Sequence, residues 1–362
     1  EGRAAQAGQL NMTASRQQRA EDALHYPLGR KPDAGEVLDI APGIKWLRLP
    51  LPFQLAHINV WLLQDNGGWA IVDTGLGTRT TREVWKKVFE RDLGSETVSR
   101  VMVTHLHPDH SGCAGWLSRR FDAELWMSRE EYLLCRLLAA DTGRPAPAEG
   151  RRFYRAAGFP DSALENYIEH YGMFGRVVSN MPESYRRLTD GDSLRIGDMD
   201  WEVIVGRGHS PEHACLYNAE QELLIAGDQL LPTISSNISV YPTEPRANPL
   251  HDWFQSLDLL ERRLPADTLV LPAHGKPFTG AHQRIRQLRE EHETGLAKLL
   301  QLCREPRRAI DVFPALFKSR ITERNLLMAT GEAVSHLNYL LASGAVDLDV
   351  DSSGVHWYRA GQ

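Results

Sequence analysis

Short apolar runs recur along the first three quarters of the chain, and four of them end in a histidine or an aspartate. The runs are NVWLL at 59–63, WAIVDTG at 69–75, SRVMVTHLH at 99–107, WEVIVGRGH at 201–209, ELLIAGDQ at 222–229 and DTLVLPAHG at 267–275. Aliphatic and β-branched runs of this length predict buried strands. Because the amphipathic stretch REVWKKVFERDLG at 82–94 predicts a helix between two of them, the pattern indicates an α/β fold.

The spacing of apolar positions becomes helical between residues 130 and 187, where aromatic residues are frequent. This region is predicted to be a helical insertion in the main domain. Its aromatic residues would form either the core of a helical subdomain or, where they face a site, an apolar wall for a substrate.

A second unit is predicted after Pro277. Its pieces are an amphipathic helix at 281–303, a short helix around 309–317, a longer helix at 322–344 and a hairpin at 345–359. Helix, helix and hairpin in this order predict a small winged-helix-like α+β domain. The main domain is therefore placed at 36–280 and the C-terminal domain at 281–362. Residues 1–35 are expected to form a polar tail, whose part before Met12 is compatible with an origin outside the natural chain.

The composition is that of an ordinary globular protein, because 42% of the 362 residues are hydrophobic and 24% are charged. A formal net charge of −6 gives no overall attraction for a polyanion, so nucleic acid is not an expected partner. The four cysteines form no CxxC pair, which argues against a zinc ribbon or a disulfide framework and favours a reducing cytoplasm. The longest apolar runs are too short to cross a bilayer, so no membrane association is expected.

The segment THLHPDHSG at 104–112 contains three histidines and one aspartate within six residues. Imidazole and carboxylate groups are the ligands that catalytic zinc prefers. His105 and His107 are two apart on an extended segment and can point the same way, while Pro108 turns the chain and brings Asp109 and His110 to a second position. The spacing predicts one loop that serves two divalent metals.

Three further ligands are predicted at the ends of other strands: His209, Asp228 and His274. Asp228 is the expected bridging carboxylate, since its two oxygens can serve two cations about 3.5 to 4 Å apart. One metal would be held by His105, His107 and His209, and the other by Asp109, His110 and His274. Zinc is the expected metal, with iron and manganese as alternatives.

The HxHxDH motif at 105–110, together with Asp73 in IVDTG, His209, Asp228 and His274, resembles the metallo-β-lactamase superfamily over roughly residues 40–280. The resemblance implies an αββα sandwich with two metals at one edge between the sheets. It is closer to glyoxalase II and ribonuclease Z than to zinc β-lactamases, because Asp228 stands where those enzymes have a cysteine. The C-terminal domain resembles the winged-helix-like tail of β-lactamase-like endoribonucleases.

Two residues are expected to lie behind the ligands. Asp73 would orient ligand side chains, with a strand-end capping role as the alternative. His213 lies four residues after His209 and would support the site or pack beside it, because seven ligands already suffice for two metals.

The predicted activity is that of a metal-dependent hydrolase. Two cations lower the pKa of a water between them, held by Asp109 and Asp228, and the resulting hydroxide attacks an electrophilic carbon. A thioester of the acyl-glutathione or acyl-CoA type is favoured over a lactone or other ester, since thiolate is a good leaving group. The alternatives are a phosphodiesterase or endoribonuclease, and a persulfide dioxygenase-like oxidoreductase with one iron.

The Pro- and Ser-rich segment 230–249 is expected to be either a surface connection tied to the rest of the fold or a loop that shapes the substrate site, with Tyr241 and Arg246 as the candidate substrate contacts. The acidic residues of the long C-terminal helix and of the hairpin should repel phosphates. The C-terminal domain is therefore expected to form a homodimer or to cover the site, and the expected partner is a small-molecule substrate.

Overall fold

Two large sheets dominate the computed structural model, which describes residues 24–52, 55–94 and 97–361. The first sheet contains, in spatial and chain order, β1 (Val37–Ala41), β2 (Ile44–Pro50), β3 (His57–Asp65), β4 (Gly68–Val72), β5 (Thr97–Met102), β6 (Glu124–Met127) and β7 (Arg186–Arg187). Its first four strands are antiparallel, and β4 to β7 run parallel.

The second sheet has five strands, in the spatial order β12–β11–β10–β9–β8. They are β8 (Ser193–Ile196), β9 (Met199–Gly206), β10 (His213–Asn218), β11 (Leu223–Gly227) and β12 (Leu269–Pro272). Neighbours are antiparallel except β11 and β12, which are parallel. A separate hairpin, β13 (Val346–Val350) and β14 (His356–Ala360), lies near the C-terminus.

The helices lie outside the two sheets. They are α1 (Arg79–Arg91), α2 (Pro108–Ser111), α3 (Ala114–Phe121), α4 (Arg129–Ala140), α5 (Ala148–Ala156), α6 (Asp161–His170), α7 (Pro249–Arg263), α8 (Ala281–Leu302), α9 (Phe313–Leu316) and α10 (Leu326–Ala342). Short 3-10 turns occur at Phe174–Arg176 and Ala309–Val312. Within the described residues, no helix has both the length and the apolar character needed to cross a membrane.

Three apolar layers hold this arrangement together. The inner layer, between the sheets, contains the fully buried Trp46, Trp61 and Trp201. A second layer joins the first sheet to α1, α3 and α4, and a third joins the second sheet to α7, α8 and α10. Burial of each large apolar side chain stabilises the fold by about 1.5–3 kcal/mol. The helix–sheet–sheet–helix sandwich expected from the motifs is thus present.

The helical insertion comprises α4, α5, α6 and the turn at Phe174–Arg176, after which β7 joins the edge of the first sheet. Tyr154, Phe159 and Tyr167 pack together as its own small core. These aromatic side chains therefore form the interior of a helical subdomain.

The C-terminal helices do not have a core of their own. Leu337 of α10 and Tyr358 of β14 belong to the same apolar layer as Ile204 of β9 and Leu257 of α7. The N-terminal segment also joins this layer, because Leu24 is only 4% exposed there. Residues 24–35 of the expected tail therefore include a core residue, whereas residues 1–23 lie outside the described part of the chain.

Candidate metal centre

The seven predicted ligands come from the C-terminal ends of strands in both sheets. His105 and His107 follow β5, and α2 carries Asp109 and His110; His209 follows β9, Asp228 follows β11 and His274 follows β12. The layered packing brings these ends to one edge of the sandwich. The structure thus gathers in one place all seven side chains that the sequence spreads over 170 residues.

The first group of donors consists of His105, His107 and His209. Nε2 of His105 lies 2.8 Å from Nδ1 of His107 and 3.2 Å from Nε2 of His209. Nδ1 of His209 points away from this group and donates to the main-chain oxygen of Asn237 at 2.7 Å. The carbonyl therefore fixes the ring so that Nε2 faces the other donors.

The second group consists of Asp109, His110 and His274. Nε2 of His274 lies 3.4 Å from Oδ2 of Asp109, and Nε2 of His110 lies 3.8 Å from the same oxygen. Nδ1 of His274 donates to the main-chain oxygen of His57 at 2.8 Å. This ring, too, is held by a carbonyl with its free nitrogen turned inward.

Asp228 lies between the two groups. Its Oδ2 is 3.4 Å from Nε2 of His209 in the first group. Its Oδ1 is 3.6 Å from Nε2 of His110 and 3.5 Å from Nε2 of His274 in the second. One carboxylate oxygen therefore faces each group, which is the arrangement of a bridging ligand.

The donor set fits divalent cations. Ligand bonds of 2.0–2.2 Å in tetrahedral geometry place neighbouring donors about 3.3–3.6 Å apart, and the separations here run from 2.8 to 3.8 Å. Within the described residues, buried Nε2 of His110, Oδ1 of Asp228 and Nε2 of His274 have no hydrogen-bond partner. Buried polar atoms rarely stay unpaired, and a cation bound among these three would supply the missing partner.

The carboxylates give the centre a negative potential. Burial by itself would lower the pKa of His110, but the charges of Asp73, Asp109 and Asp228 outweigh burial and raise it well above the usual value. The pKa of His274 rises for the same reason, although burial opposes it. By contrast, burial and the neighbouring His209 lower the pKa of His107 to about 3. The buried carboxylates that raise these two pKa values would also attract a divalent cation by their charge.

Asp73 lies directly behind the ligands. Its backbone has φ of +65°, in the left-handed region, at the turn after β4. This turn aims the carboxylate at Nδ1 of His110, 2.8 Å away, and at the main-chain N–H of Thr104, 2.9 Å away. Asp73 therefore contacts both the His110 ring and the start of the loop that carries the predicted ligands.

His213 is fully buried beside the centre, with its ring stacked on His105 at 4.8 Å between ring centroids. Its Nε2 accepts a hydrogen bond from the main-chain N–H of Asp228 at 3.0 Å. Gly227 has φ of +51°, and a Cβ there would lie 2.5 Å from the His213 ring. The ring thus supports the backbone on which Asp228 sits.

Glu131 of α4 is a residue of the site that the sequence reasoning missed. Its fully buried carboxylate accepts from the main-chain N–H of Leu106, between two ligands, at 2.9 Å, and from that of Glu212 at 2.8 Å. It therefore ties the His105 loop to the His209 loop. The available signal was its position four residues before the buried Cys135, on the apolar face of the helix.

The two candidate substrate residues are both exposed. Tyr241 is 49% exposed. Arg246 is exposed, five residues further along the same segment.

Similarity to known proteins covers both parts of the chain. Residues 55–274 match the metallo-beta-lactamase superfamily, and residues 296–361 match the metallo-beta-lactamase-like C-terminal domain. A crystal structure of a beta-lactamase domain protein from Burkholderia ambifaria is 39% identical, with a TM-score of 0.87; the match covers 95% of this chain and 100% of that one.

Several curated relatives are named after an enzymatic activity. The human acyl-coenzyme A thioesterase MBLAC2 is 24% identical over 253 residues, which is 68% of this chain and 83% of the relative. The hydroxyacylglutathione hydrolase GloC of Haemophilus influenzae is 24% identical over 173 residues, which is 47% of this chain and 64% of the relative. Since the superfamily match spans more than half of the sequence and the motif residues meet at one edge of the sandwich, this chain belongs to the metallo-β-lactamase superfamily, as a metal-dependent hydrolase.

Proposed function

We propose that this protein is a dinuclear thioester hydrolase that acts on a small acyl-glutathione or acyl-CoA type substrate. The observation that carries the proposal is the position of Asp228, which presents one oxygen to each of two groups of three donors. Two relatives support it by name, the acyl-coenzyme A thioesterase MBLAC2 and the hydroxyacylglutathione hydrolase GloC. Zinc is the proposed metal, since His and Asp donors at these spacings suit it.

The ligand residues would hold two cations: one with His105, His107 and His209, one with Asp109, His110 and His274, and Asp228 between them. When bound, such a pair lowers the pKa of water and polarises the substrate carbonyl.

The chain supplies orientation. Asp73 holds the His110 ring, the Asn237 carbonyl holds His209, and the His57 carbonyl holds His274. Both carboxylates remain partly open to water, because Asp109 exposes 18% of its side chain and Asp228 exposes 11%. Asp109 and Asp228 are therefore the residues proposed to orient the attacking water.

A thioester suits this site because its thiolate leaves without a proton from a strong acid. Tyr241 and Arg246 are proposed as substrate contacts, Tyr241 by apolar packing and Arg246 by pairing with a carboxylate or phosphate of the substrate. Exposed Asp347, Asp349 and Asp351 on the C-terminal hairpin disfavour a nucleic-acid substrate, since they repel phosphates.

The test is a substrate panel with the zinc-loaded protein. Acyl-CoA and acyl-glutathione thioesters, a lactone, a phosphodiester and single-stranded RNA are each supplied. Thiol release from the thioesters is followed with a chromogenic disulfide, and hydrolysis of the other substrates is followed by chromatography of their products. Thioester turnover without RNA cleavage is the expected result. Cleavage of RNA alone, or one iron per chain with oxygen consumption on a persulfide, would overturn the proposal.

A further inference from the structure

The segment that follows Asp228, residues 229–240, is held by the C-terminal helices. The main-chain N–H of Val240 donates to the oxygen of Gly331 in α10 at 3.0 Å. A Cβ at Gly331 would lie 2.8 Å from Ser239, so only glycine permits this approach. The fully buried Arg284 of α8 donates to the main-chain oxygens of Leu231 and Ile234.

A series of hydrogen bonds through two histidines also holds the segment 229–240 at Ser235. Nδ1 of His336 faces the main-chain oxygen of Glu332 and must donate to it, so Nε2 of His336 accepts from Nδ1 of His292 at 3.1 Å. Nε2 of His292 then accepts from the hydroxyl of Ser235 at 2.9 Å. Both rings are buried, and this series of hydrogen bonds permits only one tautomer of each histidine.

Asn237 is the point at which this segment touches the metal centre. Its main-chain oxygen accepts from Nδ1 of His209 at 2.7 Å. Its side-chain Nδ2 donates to Oε2 of Glu332 at 2.6 Å, and its Oδ1 accepts from Ser239 at 2.5 Å. Because both ends of the amide are paired, Asn237 has one orientation, and the carbonyl that holds His209 has one direction.

We infer that Glu332 of the C-terminal domain is a positioning residue of the metal centre, which acts through Asn237 on the ring of His209. A ligand histidine whose far nitrogen is held by a fixed acceptor binds its metal more tightly than one whose ring is free to turn. The C-terminal domain thus completes the site through a carboxylate that does not touch the metals. This inference rests on the metal site proposed above.

The experiment compares zinc affinity, by competition with a chromogenic chelator, in the parent and in three variants. Glu332→Ala removes the acceptor of Asn237 and should weaken zinc binding about 10- to 100-fold. Glu332→Gln keeps an acceptor oxygen and should stay within about threefold of the parent. Glu323→Ala, which removes an exposed glutamate just before the same helix, is the matched control and should not differ from the parent.

A double-variant cycle separates positioning from general stability. If Glu332 acts through Asn237, then Asn237→Ala combined with Glu332→Ala weakens zinc binding no more than Asn237→Ala does alone. The inference is overturned if the losses of zinc affinity in Asn237→Ala and Glu332→Ala add up in the double variant. It is also overturned if folded Glu332→Ala binds zinc as tightly as the parent. If Glu332→Ala does not fold, failure of Glu332→Gln to bind zinc as the parent does overturns it instead. A parent chain that binds no divalent metal refutes the proposed function, whereas thioester turnover plays no part in this measurement.

Discussion

His209 and His213 are four residues apart, and their surroundings give them different tasks. Nε2 of His209 lies 3.4 Å from Oδ2 of Asp228 and 3.2 Å from Nε2 of His105, where a metal ion could bind between them. Nε2 of His213, by contrast, already accepts a hydrogen bond from the main-chain N–H of Asp228. A nitrogen that accepts a hydrogen bond from the backbone has no lone pair left for a metal. The choice between two similar histidines is therefore made by backbone geometry.

This difference predicts how single substitutions change metal content. His107→Ala removes one of three nitrogens in the first group, so it should lower the metal bound per chain and abolish activity. His213→Ala should keep the parental metal stoichiometry and lower the free energy of unfolding by about 1–3 kcal/mol, because it leaves the N–H of Asp228 unpaired. Elemental analysis after dialysis and chemical denaturation measure the two effects. Parental metal content in His107→Ala would refute its place in the ligand set.

The motif residues were within reach of sequence reasoning because they are concentrated in one loop and at strand ends. Glu131 and Glu332 were not, since a glutamate on a helix is usually exposed. The acidic residues of the long C-terminal helix were expected to repel phosphates, and one of them is Glu332. In the structure its carboxylate accepts a hydrogen bond from Asn237 beside the metal centre. Only the partner, 95 residues away, reveals its task.

At the level of elements, α4 joins the insertion to the metal centre through Glu131. Glu131→Ala would leave the buried N–H groups of Leu106 and Glu212 without their acceptor, at a cost of about 1–3 kcal/mol for each. We expect a lower melting temperature and faster zinc loss to a chelator. The exposed neighbour Glu130 provides the control, and Glu130→Ala should match the parent in both measurements. Equal zinc retention in the two variants would contradict the role of Glu131.

The junction of α8 and α10 should be sensitive to acid. Burial, followed by the charges of His336 and Arg284, lowers the pKa of His292 from 6.5 to about 3. Below pH 6.5 this histidine is therefore protonated in the unfolded chain but stays neutral in the folded chain. The free energy of unfolding then falls by up to about 1.4 kcal/mol per pH unit, down to about pH 3.

His292→Gln removes this contribution. In chelator, the metal-free variant should lose less stability between pH 6.5 and pH 4 than the metal-free parent, as measured by urea unfolding at each pH. His251→Gln, at an exposed position, should follow the parent. Parallel curves for parent and His292→Gln would show that this histidine does not titrate on unfolding.

Over the whole molecule, the apolar layer outside the second sheet is continuous with the C-terminal domain. Leu337 is fully buried in that layer together with Ile204 and Leu257. A shared core makes the two parts unfold together, even though the sequence divides them at residue 281.

Calorimetry tests this coupling. Leu337→Ala should lower the free energy of unfolding by about 2–5 kcal/mol. The whole chain should still unfold in one transition, at a lower temperature than the parent. Met328→Ala, on the same helix but 57% exposed, should leave the transition almost unchanged. Two separate transitions in the parent would show that the domains are stabilised independently.

The sequence by itself predicted the strands, the HxHxDH loop and a helical insertion, because each of these patterns depends on residues that are close in the chain. The tertiary structure decided which groups orient those ligands. Asp228 lies between two groups of candidate ligands because the ends of both sheets meet. Glu332 reaches Asn237 because α10 packs against the segment after Asp228. Contacts between residues about a hundred positions apart arise from packing, and local patterns of apolar and polar residues carry no record of them.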